Sequence, residues 1–195
     1  MLAYLIDNID SDTGCLKTLY GDWNDAIDGL GKGEGKKEFG NGVSVMATFQ
    51  LYSALNKTLE ILKKLGNEKK WISTLEKAES TIEDGLLKHA FVRKGDEVKI
   101  IHGWGNNRSF YVGSFDDIDH QNRDTLTSNA FYVLSGFYKS HPEYIPAVLS
   151  AYRKLEGKYG FKTFEPFFDK DAYKVGRSVN LPKGTAENAA TYIHG

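Results

Sequence analysis

The chain has 195 residues, of which 41% are hydrophobic and 13% aromatic, enough apolar material for one domain with a core, which excludes a disordered chain. Lys and Arg number 25 against 26 Asp and Glu, a net charge of -1, so there is no broad electrostatic footprint for nucleic acid or an anionic membrane, and partners are expected to be neutral or locally recognised. A single cysteine, Cys15, excludes an internal disulfide and a cysteine metal cluster and fits a reducing, cytoplasmic setting.

The N-terminal apolar run is broken at Asp7 and lacks a basic leader, so it does not read as a secretory signal, and nowhere does the chain reach the roughly 18 consecutive apolar residues of a spanning helix. Thr13-Gly14 is a turn signal leading into Leu16 to Tyr20. Next comes the most chemically loaded stretch, Gly21-Asp22-Trp23-Asn24-Asp25-Ala26-Ile27-Asp28-Gly29. On a first helical turn its three carboxylates would share a face, crowd one another and favour a protonated acid beside an indole, a combination suited to sugar rings. Asp and Asn ahead of a helix are also ordinary N-caps and a Trp is usually core, so residue types alone leave both readings open. The alternating glycines of Gly31-Lys32-Gly33-Glu34-Gly35 meet neither the P-loop nor the dinucleotide spacing and read as a solvated loop.

From Ser44 the apolar positions Val45, Phe49, Tyr52, Leu55, Leu59 and Leu62 recur at helical spacing, predicting an amphipathic helix of about six turns closed by Gly66-Asn67. Trp71, Leu75, Ala78, Ile82 and Leu86 predict a second helix, and the short link makes the two a hairpin whose aromatic side chains belong to the core. Phe91 to Ile101, folded about Gly95-Asp96, reads as a small β-hairpin. The stretches Gly103-Trp104-Gly105-Asn106-Asn107 and Gly113-Ser114-Phe115-Asp116-Asp117 have the composition of binding loops or of a long connection stapled to the core by its aromatics. Asp116, Asp117, Asp119 and His120 read as a solvated acidic loop, and no short ligand spacing among the histidines supports a metal site. A helix capped by Thr127 or Ser128 and ended by His141-Pro142 follows, then another over Ile145 to Leu155. The remainder is irregular and closes on Glu187, Asn188, Thr191, Tyr192 and His194, polar groups separated by small residues. Helical pairs alternating with long loops suggest an array of helical hairpins or an α/α toroid.

Taken together, these motifs resemble glycoside hydrolase family 94, the inverting glycoside phosphorylases related to cellobiose, cellodextrin and chitobiose phosphorylases. Gly21-Asp22-Trp23-Asn24-Asp25 is similar to the family's catalytic-acid motif, and Gly42-Val43-Ser44-Val45 to its entry into a long helix. Phe115-Asp116-Asp117 with Leu126 to Gly136 resembles its loop and next helix, and Glu187-Asn188 with His194 its Lys-Glu-Asn-Gly-Gly segment. The resemblance implies a mainly α fold, the later part of an (α/α)6 barrel with long loops and one small β-hairpin, spanning residues 1–195 as a fragment of a longer enzyme. It implies phosphorolysis of a β-linked oligosaccharide to an α-sugar 1-phosphate, with inorganic phosphate as co-substrate and neither cofactor nor metal. Carried over by residue, Asp25 is the general acid, Trp23 a wall of the sugar site, Glu187 a sugar-binding carboxylate and His194 a phosphate-binding imidazole. Asn129 and Tyr192 are substrate-binding candidates by neighbourhood, as are Asp116 and Asp117.

Two departures qualify that expectation. Ala186 stands where the family has Lys, and Ala189-Ala190 where it has Gly-Gly, so cellobiose is not assumed; another linkage, β-1,2-oligoglucan first, fits as well. Family members are several times longer, so the isolated chain is expected to be weak or inactive, and unpartnered barrel helices predict self-association or pairing with the remaining barrel segments. Hydrolysis or transglycosylation on the same barrel, and a non-catalytic sugar-binding fragment, are the competing functions.

Overall fold

The computed structural model describes all residues except 22, 34, 36–38, 67 and 192–195. Helices dominate it: α1 Leu2–Asp7, α2 Val45–Leu65, α3 Lys69–His89, α4 Leu126–Leu134 and α5 Ile145–Leu155. Strand β1 (Val43–Ser44) pairs antiparallel with β4 (Gly103–Trp104), which pairs with β5 (Tyr111–Val112). Strands β2 (Phe91–Lys94) and β3 (Glu97–Ile100) form the expected hairpin, with Gly95 at φ 59° in its two-residue turn. Two further short ladders join β6 (Asp124–Thr125) to β9 (Phe164–Glu165), and β7 (Glu156–Gly157) to β8 (Gly160–Phe161). Among the described residues no helix is long and apolar enough to cross a membrane.

Local chemistry accounts for the helix ends. Ser44 is extended, its hydroxyl accepts the Ala47 amide at 3.2 Å, and so α2 starts directly after it. Gly66, left-handed at φ 69°, stops the helix. Thr48, fully buried, donates to the Ser44 carbonyl at 2.7 Å and accepts the Leu16 amide at 3.0 Å, which sews the segment ahead of the acidic stretch onto α2. On α3 a Cβ at Gly85 would stand 2.4 Å from the Thr13 carbonyl oxygen, so only glycine lets that turn lie against the helix.

Helix α4 begins two to three residues earlier than its sequence suggests. Pairing with β9 keeps Thr125 extended, so Thr125 is the cap, while Thr127 and Ser128 are buried in the first turn. Trp71 also departs from expectation: at the start of α3 it is 41% exposed, whereas Leu75, Ala78, Ile82 and Leu86 are buried as their spacing requires. The glycine and aromatic stretch at 103–105 is a staple, since Trp104 is buried in the sheet beside Val43.

Two hydrophobic cores result. The larger joins α2, α3, α4 and the β2–β3 hairpin around Phe49, Phe91, Tyr132 and Phe137, with Phe49 and Phe137 edge to face at 5.3 Å. The smaller consists of Ile27, Leu30, Phe110, Val112, Phe164, Phe168, Ala172, Val175 and Ala189, and so packs the acidic stretch against the C-terminal segment.

Between them lies a buried ion-pair network where a solvated acidic loop was expected. Arg123 is fully buried, and each of its five N–H donors has an acceptor. Nη1 reaches Asp117 at 2.7 Å and Asp119 at 3.1 Å. Nη2 reaches Asp119 at 2.8 Å and the Phe167 carbonyl at 3.0 Å, and Nε takes the Pro166 carbonyl at 2.8 Å. Its guanidinium also lies 3.8 Å from the centre of the Phe168 ring. Asp117 accepts the Gly113 and Ser114 amides and the Ser114 hydroxyl besides. Arg123, six residues beyond Asp117, turns Asp117 and Asp119 inward, while Asp116 and His120 stay exposed as expected of a solvated loop.

Truncation of Arg123 to Ala is therefore expected to cost about 3–5 kcal/mol, because Asp117 would be left charged and buried; urea denaturation measures it. A second expectation concerns alkali. The Tyr132 hydroxyl donates to the His141 carbonyl, and burial pushes its pKa from 10.0 up to about 12. The folded state thus holds this proton longer than the unfolded chain, so its contribution is complete below pH 10 and is lost as the pH rises toward 12. The urea midpoint should fall across that window, and fall less steeply in Tyr132→Phe.

Candidate active site

Residues 23–30 form successive turns instead of the helical turn expected for them, and Asp22 lies outside the described residues. The predicted crowding of carboxylates on one helix face is therefore replaced by separate surroundings for Asp25 and Asp28. Asn24 starts the turns: its side-chain oxygen accepts the Ala26 amide at 3.1 Å, and its carbonyl accepts the Ile27 amide at 2.9 Å. Ile27 packs in the smaller core and Ala26 is buried beside it in sequence, whereas Asp25 is exposed and Trp23 half-buried.

Asp28 is held in an ion pair with Arg177. The Arg177 amide donates to one carboxylate oxygen of Asp28 at 3.0 Å and its Nε to the other at 3.0 Å, while Nη2 donates to the Asp25 carbonyl at 2.7 Å. Ser178 adds a bond from its amide to the Ala26 carbonyl at 2.9 Å. Arg177 thus clamps the turn through the Asp25 carbonyl and the Asp28 carboxylate, not through the Asp25 carboxylate. Its participation could not be found in the sequence: it lies 149 residues from Asp28 in an irregular segment and belongs to no motif. Gly29 completes the fit, since a Cβ there would meet the Lys174 carbonyl oxygen at 1.9 Å.

The C-terminal segment meets this turn directly. Asn24 Nδ2 donates to the Glu187 carbonyl at 3.2 Å, and the Ser178 hydroxyl donates to the same oxygen at 3.3 Å. Glu187 is half-buried beside the turn, and its neighbour Asn188 is fully buried. The Asn188 side chain accepts the Phe168 amide at 2.8 Å and donates to the Phe168 and Leu181 carbonyls at 3.0 and 3.2 Å. Ala186 and Ala189 adopt φ of 44° and 69°, left-handed values that favour glycine, so the backbone keeps such a bend at 189 although the residue is alanine.

Of the candidates drawn from sequence, Trp23, Asp25 and Glu187 are brought together through Asn24. Asn129 is not part of that group: it is buried in the first turn of α4, where its Nδ2 donates to the Thr125 carbonyl at 2.7 Å and its Oδ1 has no partner. Tyr192 and His194 lie outside the described residues; the chain is followed to Thr191, which bridges to Lys162. Asp116 is exposed and pairs with His120 at 3.0 Å, while Asp117 is committed to Arg123. Among the described residues, no group of three or more His, Cys, Asp or Glu is placed to hold a metal ion.

An open cavity of about 700 Å³ lies on the far side of the clamp. Asp28, Gly29 and Arg177 form one wall, Tyr20, Lys32 and Phe39 another, and Asn106, Tyr173, Lys174 and Asn180 complete it. Trp23, Asp25 and Glu187 do not line it. The chemical inventory is thus one exposed carboxylate on a hydrogen-bonded turn, an indole next to it in sequence, the Glu187 backbone bonded to that turn, and a cleft whose described lining includes Lys32, Lys174, Arg177 and Asp28.

Because Asn188 alone satisfies both backbone groups of Phe168 in this interior, Asn188→Ala is expected to cost about 1–3 kcal/mol for the groups left unpaired, read as a lower midpoint in thermal or urea unfolding.

Residues 2–195 match the profile described as the Glycosyl hydrolase 94 superfamily, catalytic domain. The chain is 28% identical over 185 residues to a solabiose phosphorylase of Paenibacillus borealis, an alignment covering 90% of this chain and 21% of that protein. It is also 28% identical over 185 residues to a 3-O-beta-D-glucopyranosyl-beta-D-glucuronide phosphorylase of the same organism, covering 89% of this chain and 20% of that protein. The chain therefore spans about a fifth of the length of these relatives, and with its profile match running from the second residue to the last it belongs to the glycosyl hydrolase 94 superfamily.

Proposed function

We propose that this chain forms part of an (α/α)6 barrel that cleaves a β-linked oligosaccharide with inorganic phosphate, inverting at the anomeric carbon to yield an α-sugar 1-phosphate and a shortened acceptor. The observation that carries the reading is the Asn24 to Glu187 hydrogen bond, which joins an exposed carboxylate turn to a second carboxylate segment across 163 residues. Membership of the superfamily and the two phosphorylase relatives support phosphorolysis as the reaction class.

The chemistry assigns the roles. An inverting hydrolase needs one carboxyl group to protonate the leaving oxygen and another to activate water. Phosphate is already an anionic nucleophile, so one acid suffices, provided that donors hold the anion near it. In this reading Asp25 protonates the departing oxygen, Trp23 walls the sugar ring and Glu187 accepts sugar hydroxyls. His194 donates to phosphate, and Tyr192 contributes a lesser substrate contact. No cofactor is required. The reaction is assigned to the cytoplasm, in keeping with the free, buried Cys15. Exposed Leu134 on α4 and Leu149 on α5 support the pairing of these helices with further barrel helices or a second copy.

The test is phosphate-dependent release of sugar 1-phosphate by an enzyme of the relatives' length that contains this chain. Asp25→Asn is expected to lower kcat by about 10²–10⁴-fold, the usual contribution of a positioned acid. Turnover that ignores phosphate would assign hydrolysis or transglycosylation instead. Saccharide binding with no turnover would leave a non-catalytic sugar-binding domain. The 195-residue chain alone is expected to be weak or inactive.

A further inference from the structure

The peptide unit that follows Asp25 is held at both edges. Its N–H, from Ala26, donates to the Asn24 side chain at 3.1 Å, and its C=O, from Asp25, accepts Arg177 Nη2 at 2.7 Å. A peptide unit is planar, so these two bonds fix its orientation and with it the Asp25 Cα that carries the carboxylate side chain. The next carbonyl, that of Ala26, takes the Ser178 amide at 2.9 Å. Residues 177 and 178 thus meet consecutive peptide units of the turn.

Arg177 is itself oriented by Asp28. Its amide and its Nε reach separate oxygens of that carboxylate, each at 3.0 Å, which sets both the backbone and the plane of the guanidinium. Gly176 permits this approach, because a Cβ there would stand 2.1 Å from Asp28 Oδ1. A lysine does not supply the same geometry: its single ammonium group lacks the fixed spacing of Nε and Nη2 that joins Asp28 to the Asp25 carbonyl.

Stability does not account for the pair. The Arg177 and Asp28 side chains are 67% and 38% exposed, and ion pairs as open as this contribute little to folding. The turn has other anchors in the fold, with Ile27 in the smaller core and the Gly29 amide on the Val175 carbonyl at 2.9 Å. What the pair adds is a fixed direction for one peptide unit, the one beside Asp25.

We propose that Arg177, oriented by Asp28, is a positioning residue that aims the Asp25 carboxyl group through the Asp25 backbone. The inference rests on the reading of Asp25 as the general acid and adds the residues that hold it in line with the departing oxygen. Misplacing a reacting group by about 1 Å costs about 10²-fold in rate, so loss of this hold is expected in kcat and not in stability.

The test compares Arg177→Gln, Arg177→Lys, Asp28→Asn and the Arg177→Gln, Asp28→Asn double variant in the enzyme of the relatives' length that contains this chain. Each is expected to lower kcat about 10–100-fold, with KM within about twofold and the melting midpoint within about 2 °C of the parent. The double variant should fall no further than the worse single one, because both substitutions remove the same hold. Full kcat in any variant, a loss carried by KM, a loss matched by a fall in melting midpoint, or additive losses would each overturn the proposal. Asp25→Asn run in parallel separates the two readings: full kcat there removes the acid role and the proposal with it, whereas loss there with full kcat in the Arg177 and Asp28 variants removes the proposal alone. A second measurement needs no turnover. In the 195-residue chain, hydrogen exchange of the Ala26 and Ile27 amides should quicken at least about tenfold in Arg177→Gln while the α2 amides keep their rates, and unchanged exchange at 26 and 27 would equally overturn it.

Discussion

Everything around the acidic turn depends on the burial of one guanidinium. Arg123 has no water to solvate it, so all five of its donors must be met within the protein, and the five acceptors come from two distant stretches. Asp117 and Asp119 are local, whereas the carbonyls of Pro166 and Phe167 arrive from the C-terminal segment. A buried ion pair of this kind adds little net stability relative to a hydrophobic replacement, but it specifies geometry, because any other placement of residues 166–168 leaves a charge or a carbonyl unpaired. Here it fixes Phe168 at the centre of the smaller core.

From Phe168 the constraint passes to the site through backbone groups. Asn188 satisfies both the amide and the carbonyl of Phe168, which places Glu187 where its own carbonyl meets Asn24 and Ser178. The carboxylate of Asp25 takes no part in these bonds. The turn is held by neighbours that bind its backbone and its flanking side chains, while the Asp25 carboxylate stays exposed, as the acid role proposed for it requires. Arg177 extends the same pattern, using Asp28 and the Asp25 carbonyl as anchors.

The alanines of the C-terminal segment show how backbone geometry outlasts side-chain change. Ala189 keeps a left-handed φ of 69° and is buried in the smaller core, so its methyl contributes packing at a position whose backbone favours glycine. Ala186, at φ 44°, precedes Glu187 and offers neither charge nor hydrogen bond. Among the described residues, Arg177, Lys174 and Lys32 are the cationic side chains that line the cleft with Asp28.

Periodicity alone determined the long helices, since a stripe of apolar residues at three- and four-residue spacing has one stable use, and Ser44 and Gly66 mark the ends of α2 through purely local hydrogen bonding and φ preference. The β2–β3 hairpin and the family motif around Asp25 were legible for the same reason: their information is contiguous. What only the tertiary structure decided is whatever depends on partners far along the chain. The acidic stretch is a set of turns because Val175 and Ser178 supply its backbone partners from 146 or more residues away. Asp117 and Asp119 turn inward because Arg123, itself held by the Pro166 and Phe167 carbonyls, meets them, and Trp104 is core because β1 and β5 flank it. A local pattern states which conformations a segment prefers, but desolvation of charges and closure of backbone hydrogen bonds are settled by whichever segments come to rest against it.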